Sequence, residues 1–198
     1  MNIPKVCLIG VGHFGKAHLY EWLQLQDRGE VEVSALVVQS EKSRAELAGA
    51  YSIPVYTSID DELLRSFDIV DIATPAESHL ALIERCLPYC HVLVETPLLT
   101  SMAQLDTLNS LVEQYPDKLM VGHNYRFNPV VLKLSELIKQ QPGQPSLVEI
   151  NMLNRSVAAV DLNPNLEYVH AFDIMDCLFE LEPTIETSRA IDNSHQVS

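Results

Sequence analysis

At 198 residues, 47% hydrophobic and 20% charged, the chain can bury one substantial core and part of a second, and it is too apolar to be disordered. Its 27 acidic residues outnumber 13 Lys and Arg for a formal net charge of -14, with no local basic patch, which excludes nucleic acid as a partner because the phosphates would be repelled. No apolar run reaches membrane-spanning length, the first strand starts too soon for a signal peptide, and Cys7, Cys86, Cys90 and Cys177 are too scattered for a disulfide framework; a cytoplasmic protein with reduced thiols and no membrane contact is expected.

The first predicted strand is the apolar run Val6-Cys7-Leu8-Ile9, which stops at Gly10. Gly10, Gly12 and Gly15 stand in G-x-G-x-x-G spacing, and an amphipathic segment from about Phe14 to Gln26 reads as a helix. Strand, tight turn and helix in this order make a dinucleotide-binding unit. Gly10 permits the sharp turn, Gly12 lets backbone approach a pyrophosphate, and Gly15 lets helix and strand pack closely. The helix start then offers unpaired N–H groups and the positive end of its dipole to the phosphates. His13 and Phe14 lie in the same turn and belong to the candidate cofactor-binding set.

A second strand, Val31 to Val38, ends at Gln39-Ser40, where a dinucleotide fold usually places an acidic residue against the adenosine ribose. Gln39 has no charge to repel a 2′-phosphate, while Ser40, Lys42 and Arg44 offer a hydroxyl and cations to bind one. The cofactor is thereby tilted from NAD towards NADP, unless Lys42 and Arg44 only solvate the next helix. That helix is predicted over Glu41 to Tyr51, followed by a short strand Ile53 to Tyr56, a short helix Asp60 to Arg65, and a buried strand Asp68 to Ala73 that stops at Thr74-Pro75. Then come a helix Ala76 to Leu87, a strand His91 to Val94, a helix Ser101 to Tyr115 whose Ser101 and Gln104 spell a capping box, and a strand Lys118 to Gly122. Strands and helices alternating across short loops imply right-handed crossovers and a parallel sheet covered on both faces. Residues 1–122 are therefore predicted to be a doubly wound, Rossmann-type α/β domain. Beyond Gly122 the pattern changes to a helix Val130 to Lys139, a breaker cluster Gln140 to Pro145, an alternating strand Leu147 to Leu153, a helix Leu166 to Leu181 and a strand over Thr184 to Ile191. Residues 123–198 read as a reduced α+β domain.

With these elements placed, the sequence resembles the Gfo/Idh/MocA (glucose-fructose oxidoreductase, inositol dehydrogenase, rhizopine catabolism) family of NAD(P)-dependent oxidoreductases. Besides the glycine turn, Ala73-Thr74-Pro75 with His79 four places after the proline is similar to the family's T-P-x-x-x-H signature, whose loop lies beside the cofactor. Val94-Glu95-Thr96-Pro97 stands in the place of its Glu-Lys-Pro motif. Gly122 to Pro129, containing Tyr125, Arg126 and Phe127, is similar to its Arg-Phe-x-Pro crossing into the second domain, and His170 with Asp173 matches its His-x-x-Asp. The resemblance implies hydride transfer between a nicotinamide and an alcohol carbon of a small polar substrate, such as a sugar or cyclitol, with a base to take the proton.

The family's lysine is Thr96 here, and the aspartate one turn before the histidine is Leu166. Threonine carries no charge to polarise an alcohol and at most donates a hydrogen bond; leucine cannot orient an imidazole, and Glu167 next door points about 100° away round the helix. Either His170 serves alone as acid or base with Asp173 holding its ring, or the two only bond each other in a half-buried helix. Glu95 holds a cofactor ribose or, with Pro97, shapes the turn. Tyr125 contacts substrate or packs, and Arg126 contacts substrate or pairs with a carboxylate. His170, Asp173 and Cys177 would make a mixed ligand set with no support elsewhere, so no metal is expected. Two classes stay open: an oxidoreductase, and a catalytically silent dinucleotide-binding protein that acts through protein contacts.

The family's second domain is built on a large open antiparallel sheet, whereas only about 70 residues follow Gly122. So small a sheet has open edges and an uncovered apolar face. A homo-oligomer through the C-terminal sheet is expected, the alternatives being a different partner or a truncated product.

Overall fold

The computed structural model describes residues 2–141, 143, 147–150 and 164–179, and for 164–168 the backbone alone. The chain divides into two compact units, 1–123 and 124–198.

The first unit runs β1 (Lys5–Ile9), α1 (His13–Asp27), β2 (Glu32–Val37), α2 (Glu41–Ala50), β3 (Val55–Tyr56), α3 (Asp61–Leu64), β4 (Ile69–Ile72), α4 (His79–Cys86), β5 (His91–Val94), α5 (Leu105–Gln114) and β6 (Leu119–Val121). All strand pairs are parallel, in the order β3-β2-β1-β4-β5-β6. This is the Rossmann-type doubly wound sheet, whose order reverses between β1 and β4 and opens a crevice at their carboxyl ends. Two predicted helices begin later than their sequence pattern. Ala76–Ser78 and Met102–Gln104 are single 3₁₀ turns that lead into α4 and α5. The capping box is present: Ala103 N–H donates to Ser101 Oγ and Ser101 N–H to Gln104 Oε1, each at 3.2 Å.

Strand alternation sorts the core onto two faces. Cys7, Ile9, Val37, Val70, Ile72, Val92 and Val94 pack with Ile83, Cys86 and Leu87 on one. On the other, Leu8, Val33 and Leu36 meet Leu19 of α1, with Trp22, Leu23 and Leu47 partly buried around them. Burial pushes the thiols of Cys7, Cys86 and Cys90 well above the ordinary cysteine range, so they behave as small apolar groups. One residue breaks the pattern: Asp71 is paired with Leu8 in the ladder, lies on the α1 face, and is fully buried.

In the second unit a 3₁₀ turn, Asn124–Phe127, precedes α6 (Pro129–Lys139), and α7 spans Pro164–Phe179. Asn128 caps α6, its Oδ1 accepting the Val130 N–H at 2.9 Å, with Pro129 at the first helical position where its missing N–H costs nothing. The strand expected from Leu147 is not formed over 147–150, which have no ladder partner among the described residues. Asn151 to Leu153 and the strand expected over Thr184 to Ile191 lie outside the described residues, and so does the sheet expected to join subunits. No helix among the described residues is long and apolar enough to cross a membrane.

Leu36 is fully buried on the α1 face of the sheet. Leu36→Ala is expected to cost about 2–5 kcal/mol, the usual cost of a cavity in a packed core, read as a lower urea midpoint with an unchanged slope.

Candidate functional site

The glycine turn is built as its spacing demands. Gly10 has a φ of +93°, and a Cβ there would lie 2.7 Å from both the Ala73 carbonyl oxygen and Thr74 Cγ2. A Cβ on Gly15 would sit 1.8 Å from the Gly10 carbonyl oxygen, so α1 touches the end of β1 only because Gly15 has no side chain. At Gly12 a Cβ would meet nothing within 4 Å: the backbone there faces open space. Gly12 is also the N-cap of α1, with no side-chain capping bond and no acidic residue in the first turn. The N–H groups at the start of that turn therefore have no capping side chain to accept from them among the described residues. His13 and Phe14 are exposed at the rim, their rings edge to face at 5.5 Å, so neither side chain plugs the turn.

At the end of β2, Gln39 is exposed and Ser40 is committed to α2, its Oγ accepting the Ser43 N–H at 3.1 Å. Arg44 Nε donates to Glu41 Oε2 at 2.6 Å on the surface of the same helix.

The loops after β4 and β5 are tied together by His79. Its Nε2 lies 2.8 Å from the Thr74 carbonyl oxygen and its Nδ1 3.0 Å from that of Pro97, and the ring is 1% exposed. His79 therefore ties the rim together from within, both ring nitrogens being turned to backbone carbonyl oxygens. Thr74 Oγ1 lies 2.7 Å from Ser78 Oγ, which in turn donates to the Pro75 carbonyl oxygen at 2.8 Å, and the Thr96-Pro97 peptide is cis.

Glu95 does not point freely into solvent. Its Oε1 accepts from His18 Nε2 at 2.8 Å and its Oε2 from the Thr96 N–H at 2.9 Å. The other ring nitrogen of His18, Nδ1, donates to Asp71 Oδ2 at 2.8 Å, and Trp22 Nε1 donates to the same oxygen at 2.6 Å. Two carboxylates on one imidazole require both ring nitrogens to carry hydrogen, so His18 is an imidazolium. Its pKa is accordingly raised to about 10, chiefly by the hydrogen bonds to Asp71 and then Glu95, against the opposing effect of burial.

In the second unit, the rings of Tyr125 and His170 lie 5.1 Å apart at 60°. Arg126 donates through Nε to Asp173 Oδ1 and through Nη2 to Asp176 Oδ2, each at 2.5 Å, and both carboxylates raise its pKa, Asp176 more. His170 Nδ1 is buried without a hydrogen-bond partner among the described residues. Arg126 thus links Asp173 and Asp176, giving one charge-assisted bond to each. Tyr125, Arg126, His170 and Asp173 form one cluster.

Residues 4–123 match the model of the Gfo/Idh/MocA family, described as an oxidoreductase family with an NAD-binding Rossmann fold. The chain belongs to the Gfo/Idh/MocA family. Among Gfo/Idh/MocA relatives, it is 27% identical over 191 residues to inositol 2-dehydrogenase of Rhizobium meliloti, covering 92% of this chain and 57% of that protein. It is 31% identical over 140 residues to D-apiose dehydrogenase of Paraburkholderia graminis, covering 68% and 36%. The solved scyllo-inositol dehydrogenase of Lactobacillus casei, which holds NAD(H) and scyllo-inositol, superposes with a TM-score of 0.61 at 22% identity, over 70% of this chain and 42% of that one, and shares the fold. The chain thus spans about half the length of the relatives it matches.

Within this Gfo/Idh/MocA fold the sequence reading found the glycine turn and both loops but missed His18, Trp22 and Asp71. A signal existed. Asp71 is the one charge in the apolar run Ile69 to Ala73, and a buried carboxylate needs a partner. His18 follows Gly15 by three residues, near one helical turn, on the helix that the glycines press against that strand.

The raised pKa of His18 carries a sign. The group is more basic folded than unfolded, so its stabilisation is full below about pH 6.5 and is lost as pH rises through about 10. The urea midpoint of the wild type should exceed that of His18→Gln by most near pH 6.5, and the gap should narrow steadily towards pH 10.

Proposed function

We propose that the protein is an NAD(P)-dependent oxidoreductase that moves hydride to or from a carbon of a small polar substrate, a sugar or cyclitol in kind. The open backbone at Gly12, at the start of α1 where no side chain caps the helix, supports this most directly, because it has room for a pyrophosphate. The names of the inositol and D-apiose dehydrogenases support the substrate class. When bound, the nicotinamide supplies the hydride donor or acceptor. His170 is the proposed acid or base, its ring held against Tyr125, with Arg126 and Asp173 framing the cluster and the Thr96 hydroxyl at most a hydrogen-bond donor. NADP is proposed ahead of NAD, since Gln39 is neutral and the exposed Arg44 pair with Glu41 is weak enough to yield to a phosphate. The same proposal includes a cytoplasmic setting, supported by the buried free thiols, and a homo-oligomer, supported by the exposed apolar Val130, Leu132 and Leu137 of α6.

Titration by cofactor fluorescence tests the first step. The wild type should bind NADPH and NADH, the former more tightly, while Gly12→Ala, which has room to fold normally, should bind both at least about tenfold more weakly. Unchanged binding in that variant would overturn the cradle.

Thr96 in the place of the family's lysine favours a second reading, a dinucleotide-binding protein without turnover. Oxidation of bound NADPH across a panel of keto-sugars and keto-cyclitols separates the two. Under the oxidoreductase reading His170→Ala lowers kcat by about 10²–10⁴ with cofactor affinity retained; cofactor binding with no turnover on any substrate selects the second.

A further inference from the structure

The helix α6 carries two apolar stripes. Val131, Ser135 and Ile138 are half-buried, and α7 is packed on the helix they belong to. Val130, Leu134 and Leu137 make a second stripe about 100° further round, and Phe127 in the turn before α6 continues its spacing. Steps of three, four and three residues are those of a coiled-coil seam. This seam faces outward: Phe127, Val130, Leu134 and Leu137 are 62%, 75%, 44% and 46% exposed. Two observations indicate what fits against it. Lys133 and Glu136 border the seam on one side, 61% and 56% exposed, their Nζ and Oε2 2.7 Å apart within the helix. Opposite charges on one border make the helix complementary to itself when reversed: about a twofold axis between Leu134 and Ser135, Lys133 of each copy comes level with Glu136 of the other. A parallel pair would set lysine level with lysine. Among α1 to α7, moreover, α6 alone has more basic than acidic residues, Lys133 and Lys139 against Glu136, so two copies of a chain with net charge -14 repel least there.

We propose that α6 is a pairing helix: a second copy of this chain lays its own α6 antiparallel along Phe127, Val130, Leu134 and Leu137, with Lys133 of each copy against Glu136 of the other. The inference rests on the homo-oligomer reading above and goes beyond it in giving the interface and its direction, with a helix where the sequence led to a sheet. The stripe exposes on the order of 400 Å² per copy, so the pair removes roughly 800 Å² from water, at the low end for a specific interface, and the dimer is reversible. Its apolar side chains supply the affinity. The charges set the direction, because each pair between copies replaces the pair that Lys133 and Glu136 make within one helix. Leu132, 51% exposed, lies on the far side of α6 and takes no part.

The test is sedimentation velocity across a wide range of concentration, with energy transfer between labelled copies to follow mixed pairs. The wild type should pass from monomer to dimer as concentration rises. Leu134→Glu should weaken association at least about a hundredfold, since a charge is buried beside the axis, while Leu132→Glu should leave it within about twofold. Lys133→Glu and Glu136→Lys should each weaken their own dimer about tenfold, because both cross pairs become repulsive, and an equal mixture of the two should recover to within about threefold of the wild type. Neither of these variants holds the pair within the helix, so recovery comes only from contact between copies. The double variant carrying both changes should pair with itself and avoid the wild type; a preference for the wild type overturns the antiparallel direction. A wild type that stays monomeric throughout overturns the homo-oligomer reading, and this pairing with it. A dimer that Leu134→Glu leaves intact, or that Leu132→Glu dissolves equally, overturns the pairing through α6 while the oligomer stands. Should Leu134→Glu not fold, the charge variants decide, their positions being exposed: a mixture that recovers nothing overturns the proposal.

Discussion

The separation between α1 and the end of β1 governs the first unit. A Cβ at Gly15 would stand 1.8 Å from the Gly10 carbonyl oxygen, so the helix reaches its depth only where that atom is missing. From that depth two things follow that lie on opposite ends of one helix turn. The first-turn N–H groups are brought to the crevice above β1 and β4, and His18, three residues on, is brought within hydrogen-bond reach of Asp71 in β4 and Glu95 after β5. One packing contact thus sets both the anion cradle and the charge cluster beside it.

The cluster is expensive by itself. Burying Asp71 fully on an apolar face costs several kcal/mol unless a cation and hydrogen bonds offset it, and such networks seldom outperform a well-packed apolar core in stability. A leucine at position 71, facing Leu8 across the ladder and Trp22 on the helix, would fit the surroundings at least as well. What a leucine would not supply is a fixed orientation for His18, and through it for Glu95. The network thereby fixes the Glu95 carboxylate at the sheet's carboxyl edge.

Most of the first unit was legible because its signals are local. The glycine spacing, the apolar runs that end at Gly10, Thr74 and Glu95, and the Ser101 capping box each act within a few residues, and the structure forms all of them. Single helices over Ala76 to Leu87 and Ser101 to Tyr115 were less accurate, since the pattern does not distinguish a tight 3₁₀ entry from the α-helix that follows it. Residues that act across the sequence were harder. Asp71 and His18 are 53 positions apart, His18 and Glu95 77, and no periodicity connects them. Arg126 shows the same limit from the other side: its two readings were equal in sequence, and only the fold shows Asp173 and Asp176 a helical turn apart and both within its reach. The burial of His79 is of the same kind, because sequence shows which residue type stands at a position and not whether its ring faces in or out.

The overall charge sharpens what the glycine turn must do. A dinucleotide brings a doubly charged pyrophosphate to a chain whose formal net charge is -14, so the long-range field opposes the encounter. At physiological ionic strength that field fades over about 8 Å, and what decides binding is the charge within the first turn of α1. There the chain places no acid, uses glycine as the cap, and puts Lys16 one residue beyond Gly15. Asp71 and Glu95 share the imidazolium of His18, which offsets about one of their two charges. Without that proton the helix's partial positive end would lie beside two anions with no cation between them. The histidine that holds Glu95 therefore also offsets acid charge beside the first helix of an acidic chain.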